Sequence, residues 1–259
     1  MTPDIDRQFI DNSSVKDSII RSLTLLPSDG VSPFVDSLSQ VTQPTSVGFV
    51  NQHAYNIMHR DSQVQVDFSH LTYRLRDGAG IKLACQYNDC DPGANLNGTD
   101  FIPALLSQIY RVKSDCCTCV FGTEEPWLST GSASLLGERE CILLNGFESD
   151  DVYIRQAKEC AEQCVESNDF LVIVLAMGMP KQERVSRQLM QTLTTPTLII
   201  CGGAIIDFYA GRFSRAPAVF RRCGLEWLYR LCVEPKRLFR RYVIGIPEFF
   251  FYMLKNKNQ

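Results

Sequence analysis

Five apolar runs of strand length punctuate the chain: TSVGFV from Thr45, CTCVFG from Cys117, CILLNGF from Cys141, FLVIVLAMG from Phe170 and PTLIICGG from Pro196. Most are apolar throughout rather than alternating, the pattern of strands buried on both faces. Segments with helical spacing separate them. NQHAYNIMHRD carries Ala54, Ile57 and Met58, DFIPALLSQIYR carries Phe101, Leu105, Leu106 and Ile109, and DDVYIRQAKECAEQCVES carries Ile154, Ala157, Ala161, Cys164 and Val165 on one side. GAGIKLACQ starts a further helix, and the stretch VQVDFSHLTYRLRD before it reads as mixed and extended. Strand, turn and helix in repetition predict an α/β fold: a Rossmann-like parallel sheet with helices on both faces.

Three regions follow from the same pattern. Residues 1–44 are rich in Ser, Asp and Pro with one apolar patch, Ser18 to Leu26, and read as a loosely held extension. Residues 45–210 form the sheet domain. Residues 211–259 form a basic, amphipathic, helical appendage, because Trp227, Tyr229, Leu231, Leu238, Phe239 and Tyr242 recur among the arginines at helical spacing.

Charge sharpens that division. The whole chain of 259 residues has a formal net charge of −3, yet residues 211–259 hold eleven Lys/Arg against three Asp/Glu, a net +8. The end of the chain is the part suited to diphosphates and an anionic membrane surface. Its last run, FFFYMLKNK, is expected to contact the membrane interface. No apolar run approaches the roughly 20 residues that span a bilayer, and no secretory signal opens the sequence. Eleven cysteines, with Cys85, Cys160, Cys164 and Cys201 in buried-looking elements, read as small core residues in a reducing compartment. The expected location is cytoplasmic, peripheral on the inner face of the membrane.

Candidate chemistry collects at the strand-to-helix turns, where a parallel sheet binds ligands. Asn51 follows the first strand. Asp77 stands at a turn whose glycines let a ligand approach. Gly122 ends the strand CTCVFG, and the following TEEP lacks the further glycines of a dinucleotide fingerprint, which disfavours an oxidoreductase. In GMPKQE, Lys181 offers a point charge for phosphate and Gln182 an amide for a base or sugar. The glycine pair Gly202–Gly203 before IIDFYAG predicts backbone N–H groups directed at a phosphate, with Asp207 close behind. Asp89 and Asp91 form a DxD pair, but in a polar loop rather than after a strand, so metal binding there is disfavoured. The triplet Cys116, Cys117 and Cys119 lacks a second ligand pair at zinc spacing.

GMPKQE, GGAIIDFYAGRFSRAP and GLEWLYRLCVEPKRLFRRY, in that order, resemble the WecG/TagA/CpsF family of bacterial glycosyltransferases. RDGAG around Asp77 and NGTDFIPALL are similar to two further family segments, and the resemblance runs from about Val47 to Phe249. It implies an inverting transferase that needs no metal or other cofactor, moving a sugar from a UDP-sugar to a polyprenyl-diphosphate-linked sugar. By the same resemblance Asp77 is the general base, Arg215, Arg222, Arg230 and Arg237 neutralise the leaving diphosphate, and Asn51, Gln182 and Asp207 line the substrate site. Two positions depart from the family pattern: Phe49 replaces a common Thr, and Asn95 stands where an Arg is usual. Which sugars are used stays open, as does a homo-oligomer.

Two other readings compete. One is a metal-dependent sugar-nucleotide transferase using Asp89 and Asp91, and the other is a nucleotide-sugar-binding protein without turnover. A nucleic-acid partner is disfavoured, because the basic segment is interleaved with core-type residues and no recognition module is present.

Overall fold

A computed structural model describes residues 9–113, 115–167, 170–214, 216–217, 219–220 and 225–257. Six strands, β1 (Thr45–Val50), β2 (Tyr73–Arg76), β3 (Cys117–Gly122), β4 (Ile142–Asn145), β5 (Leu171–Ala176) and β6 (Thr197–Cys201), form one sheet in the order β2-β1-β6-β5-β3-β4. Every neighbouring pair is parallel. The five apolar runs are all strands, and β2 is the sixth.

Helices α1 (Ser18–Arg21) and α2 (Val31–Leu38) precede the sheet. Between strands lie α3 (Gln52–Arg60), α4 (Ser62–Ser69), α5 (Gly78–Tyr87), α6 (Gly98–Val112), α7 (Trp127–Leu136), α8 (Asp150–Ser167) and α9 (Lys181–Thr192). After β6 come α10 (Ile205–Tyr209), α11 (Glu226–Val233), α12 (Pro235–Phe239), a π-helical turn Arg240–Ile244, and α13 (Gly245–Asn256). Strands β1, β5 and β6 are buried along their whole length because helices cover both faces. Phe121, Ile173 and Ile199 face one apolar layer with α3, α5, α8 and α9, while Val120, Val172 and Leu198 face the other with α2, α6 and α10. The buried cysteines Cys85, Cys160, Cys164 and Cys201 are free thiols in the first layer.

Three local expectations change. Residues 62–69 are helical rather than extended, because Val64 and Phe68, four apart, turn to one buried side and Asp61 caps the start by accepting from the Gln63 N–H at 2.8 Å. Helix α6 starts two residues earlier than expected, at Gly98, with Asn97 as its cap. The segment from residue 9 to 44 is not loosely held. Ile19, Ile20, Leu25, Leu26, Phe34 and Leu38 are each at most 2% exposed. Thr24 bridges Leu75 in parallel, its N–H donating to the Arg74 carbonyl at 2.8 Å, so this segment covers the β2 edge of the sheet. Its Ser and Asp content conceals a short apolar pattern that serves as a core layer.

The topology sets where a ligand fits. From β3 the chain moves outward to β4, whereas from β5 it moves the opposite way to β6. In open parallel sheets such a reversal marks where a ligand crevice forms, here at the carboxyl ends of β3 and β5. The C-terminal helices return to this rim, because α13 packs on α3 through the buried Phe249 and Met253. The aromatic run thus divides: Phe249 is core, while Phe250 and Phe251 are 40% and 61% exposed.

Candidate active site

Two turns build the first half of the site. Asn51 caps α3, its Oδ1 accepting from the N–H groups of His53 (3.0 Å) and Ala54 (3.1 Å), which fixes its amide nitrogen toward the next turn. There Nδ2 donates to Asp77 Oδ2 across 3.4 Å. Asp77 itself is tied to β1 by its N–H, which donates to the Val50 carbonyl at 2.9 Å, and the residue as a whole is half-buried. Gly78 follows at φ +86° with open space beside it. Asn95 lies on this turn, its Oδ1 accepting from the Gly78 N–H at 2.8 Å and from Arg76 Nη1 at 3.3 Å. This departure from the family pattern therefore supports the turn directly. Phe49 is a core residue, edge-on to Phe101.

The chain's end supplies the other half. Burial pushes the Asp77 carboxyl above the ordinary carboxylate range. The Asn51 hydrogen bond, Arg241 and Arg230 pull it back, and Glu226 adds to the rise. Both arginines thus stand close enough to act on its charge. His53 reports the same neighbourhood: burial, then Arg241 and Arg60, push its pKa down to about 4, so it is neutral at physiological pH. Arg230 stacks over Phe208 of α10 at 5.1 Å, bridging α11 to the β6 turn. Arg241 was not singled out in the sequence, because its proximity arises from the docking of α13 on α3. Arg215 and Arg222 lie outside the described residues, as does the side chain of Arg237.

Several expected contacts have other partners. Both glycine N–H groups after β6 are occupied: Gly202 donates to the Leu175 carbonyl at 2.7 Å and Gly203 to Gln182 Oε1 at 2.9 Å. The phosphate cradle expected there is therefore filled by the protein. Gln182 is fully buried, its Nε2 donating to Glu183 Oε1 at 2.7 Å, so it latches the β5 turn to the β6 turn instead of lining an open pocket. Lys181 Nζ donates to the carbonyls of Gly146 (2.9 Å) and Glu148 (2.6 Å) and to the Tyr153 hydroxyl (3.2 Å). It clamps the loop after β4, where Phe147 stands 77% exposed. Gly122 serves close strand pairing, since an added Cβ would meet the Ala176 oxygen at 2.5 Å.

At the crevice, Asp207 Oδ1 accepts from Thr123 Oγ1 at 2.8 Å and from Arg212 Nη1 at 3.2 Å. Arg212 also donates to Thr123 Oγ1 (3.1 Å) and pairs with Glu124 (3.3 Å). Thr123 sits at φ +32°, an uncommon conformation for a branched residue and one met at functional turns. The positive φ is invisible in the sequence FGTEEP, and Arg212 is one of many arginines there, so neither residue was singled out. Asp89 and Asp91 are carried away from this rim by α5: Asp91 accepts from the Gly93 N–H at 2.9 Å and Asp89 pairs with Lys257 at 3.2 Å. Among the described residues no group of three or more His, Cys, Asp or Glu is arranged to hold a metal ion. No described helix is long and apolar enough to cross a membrane.

The chain is similar to two N-acetylglucosaminyldiphosphoundecaprenol N-acetyl-beta-D-mannosaminyltransferases. The one from Bacillus spizizenii is 32% identical over 189 residues, covering 73% of this chain and 70% of the relative. The one from Bacillus subtilis is 25% identical over 189 residues, covering 73% and 71%. The model of the glycosyl transferase WecG/TagA/CpsF family matches residues 22–259, a span that takes in both halves of the site, from Asn51 to Arg241. The family model covers well over half of the chain, and the chain belongs to the WecG/TagA/CpsF family of glycosyltransferases.

Proposed function

We propose that this enzyme transfers an N-acetylhexosamine from a UDP-sugar to the sugar of a polyprenyl-diphosphate-linked acceptor, with inversion and without a metal. The observation that carries the reading is Asp77 on its strand-to-helix turn, held by Asn51 and within electrostatic reach of Arg241 and Arg230. In one displacement the acceptor hydroxyl oxygen bonds to the anomeric carbon, its proton passes to Asp77, and the bond to the β-phosphate oxygen breaks, so UDP leaves with the electron pair. Single displacement inverts the anomeric centre. Guanidinium groups at the rim offset the diphosphate charge. Arg230 and Arg241 are the described candidates, and Arg215, Arg222 and Arg237 join them by family resemblance.

The donor fits the crevice between β3 and β5. Its base has the exposed Phe147 ring as a platform, and its ribose has the Thr123–Asp207–Arg212 cluster. Asn51 is placed to contact either the acceptor or the transferred sugar. The acceptor's lipid requires a membrane surface, and the outward Phe239, Val243, Ile244, Phe250, Phe251 and Leu254, each 40% exposed or more, set among Arg240 and Lys255, suit the cytoplasmic face of a bilayer. The test is transfer from a panel of UDP-sugars to a short-chain polyprenyl-diphosphate N-acetylglucosamine, with and without EDTA, and anomeric configuration read by NMR. Full activity in EDTA with an inverted product is expected. A retained configuration would overturn the single displacement, and loss of activity in EDTA restored by a divalent cation would overturn metal independence.

A further inference from the structure

Helix α3 is the meeting place of the two ends of the described chain. It runs beside α13 in the same direction: Gln52 Nε2 donates to the Arg241 carbonyl at 3.4 Å, and Asn56 Nδ2 to the Gly245 carbonyl at 2.7 Å. Further along, Arg60 pairs with Glu248, Tyr55 meets Phe249 edge-on at 5.2 Å, and His59 stacks on Tyr252 at 4.7 Å. Because Asn51 caps α3 at the catalytic rim, the amino end of α13 is held at that rim too.

The far end of this pair is fastened by the amino-terminal segment. Asp17 is 1% exposed. Its Oδ1 accepts from the N–H groups of Ile19 (3.0 Å) and Ile20 (3.1 Å), and its Oδ2 from the Tyr55 hydroxyl at 2.5 Å. Asn256 Nδ2 then reaches the Tyr55 hydroxyl (2.9 Å), His59 Nε2 (2.9 Å) and Asp17 Oδ2 (3.5 Å). A buried carboxylate is tolerable only with such partners, and here those partners come from α1, α3 and α13. Asp17 precedes residue 22, where the family match begins, whereas Tyr55 and Asn256 lie within it.

Apolar contact alone is non-directional and leaves a packed helix free to shift along its neighbour. A slip of one turn, about 5.4 Å, would carry Arg241 away from Asp77. Resting on the function proposed above, we propose that Asp17, Tyr55 and Asn256 are positioning residues: a polar clamp through which the amino-terminal segment fixes the register of α13 on α3 and thereby the placement of Arg241 near Asp77.

Amide hydrogen exchange and transfer kinetics on the full chain test the clamp, using Tyr55→Phe, Asn256→Ala, the double variant, and Asp17→Asn, which keeps an oxygen to cap α1. Exchange in residues 245–256 is expected to rise about tenfold in Tyr55→Phe and Asn256→Ala, the equivalent of one lost hydrogen bond, with β5 and β6 unchanged. The double variant is expected to be little worse than either single one. Transfer kcat falls by a similar factor while the donor KM holds. Unchanged exchange in 245–256, or a rise spread equally over β5 and β6, would overturn the clamp. The exchange arm needs no substrate: wild-type protein that transfers nothing, with the exchange pattern as expected, would overturn the transferase reading and leave the clamp standing.

Discussion

Asn51 and Asp77, on successive strand-to-helix turns, are joined by an amide-to-carboxylate contact of 3.4 Å, at the long limit of a hydrogen bond. The contact orients the carboxylate without saturating it, leaving lone pairs for an incoming hydroxyl. Replacing Asp77 with Asn should lower transfer by about 10²- to 10⁴-fold, the usual worth of a general base, with donor binding kept. Wild-type kcat/KM should show an acidic limb above the ordinary carboxylate value of 3.8, since burial raises the Asp77 pKa.

The same shift fixes the sign of a stability effect. A carboxyl whose folded pKa exceeds its unfolded value favours folding below the unfolded pKa, and that contribution is lost as pH rises through the folded one. Ionised Asp77 therefore costs stability at neutral pH. Asp77→Asn should melt at or above the wild-type temperature at pH 7, with the difference closing below pH 3.8. A clearly lower melting temperature for the variant at pH 7 would contradict the assignment of a strained, functional carboxylate.

Glu183 offers a second titration. Burial raises its pKa from 4.5 to about 7, opposed by the Gln182 hydrogen bond, and its Oε2 is buried without a hydrogen-bond partner. By the same sign rule, stability should fall as pH rises from about 5 to 8, by on the order of 3 kcal/mol if the whole shift is expressed. Glu183→Gln should flatten that part of the profile. Melting curves across pH 5 to 9 for both proteins measure it.

Arg212 joins Thr123, Asp207 and Glu124 at the crevice. Arg212→Ala removes charge-assisted bonds worth about 1.5–3 kcal/mol each, so the donor KM should rise at least about tenfold, with the acceptor KM little changed. Titration of UDP by calorimetry should show the same factor. An unchanged nucleotide affinity would move the donor away from the β3 turn.

Phe250 and Phe251 point outward from α13 while Phe249 points in. Phe250→Ser with Phe251→Ser should weaken sedimentation with anionic vesicles by at least about 100-fold, given roughly 1.5–3 kcal/mol per buried aromatic side chain, and leave the melting temperature within a degree or two. Phe249→Ser should instead lower stability.

The strands were legible because a buried parallel sheet demands uninterrupted apolar runs, and Asn51 and Asp77 because turns at strand ends are where side chains reach ligands. Long-range partners were not legible. Gly202 and Gly203 looked like an open anion cradle, yet the Gln182 side chain occupies the Gly203 N–H from another turn. Lys181 looked free for phosphate and is bound to loop carbonyls. Ile19, Ile20, Leu25 and Leu26 are diluted by polar neighbours, so their burial against the sheet edge showed only in three dimensions. Arg241 stood among several arginines, and it is singled out by the pairing of α13 with α3, through Gln52 on the Arg241 carbonyl and Asn56 on that of Gly245.

That pairing also orders events during synthesis. Every strand of the sheet precedes residue 202, so the sheet can assemble while translation continues. The helix that begins at Gly245 follows all six strands in the chain. A nascent chain can therefore complete its parallel sheet before it has made the helix that docks on α3 and brings Arg241 to the rim.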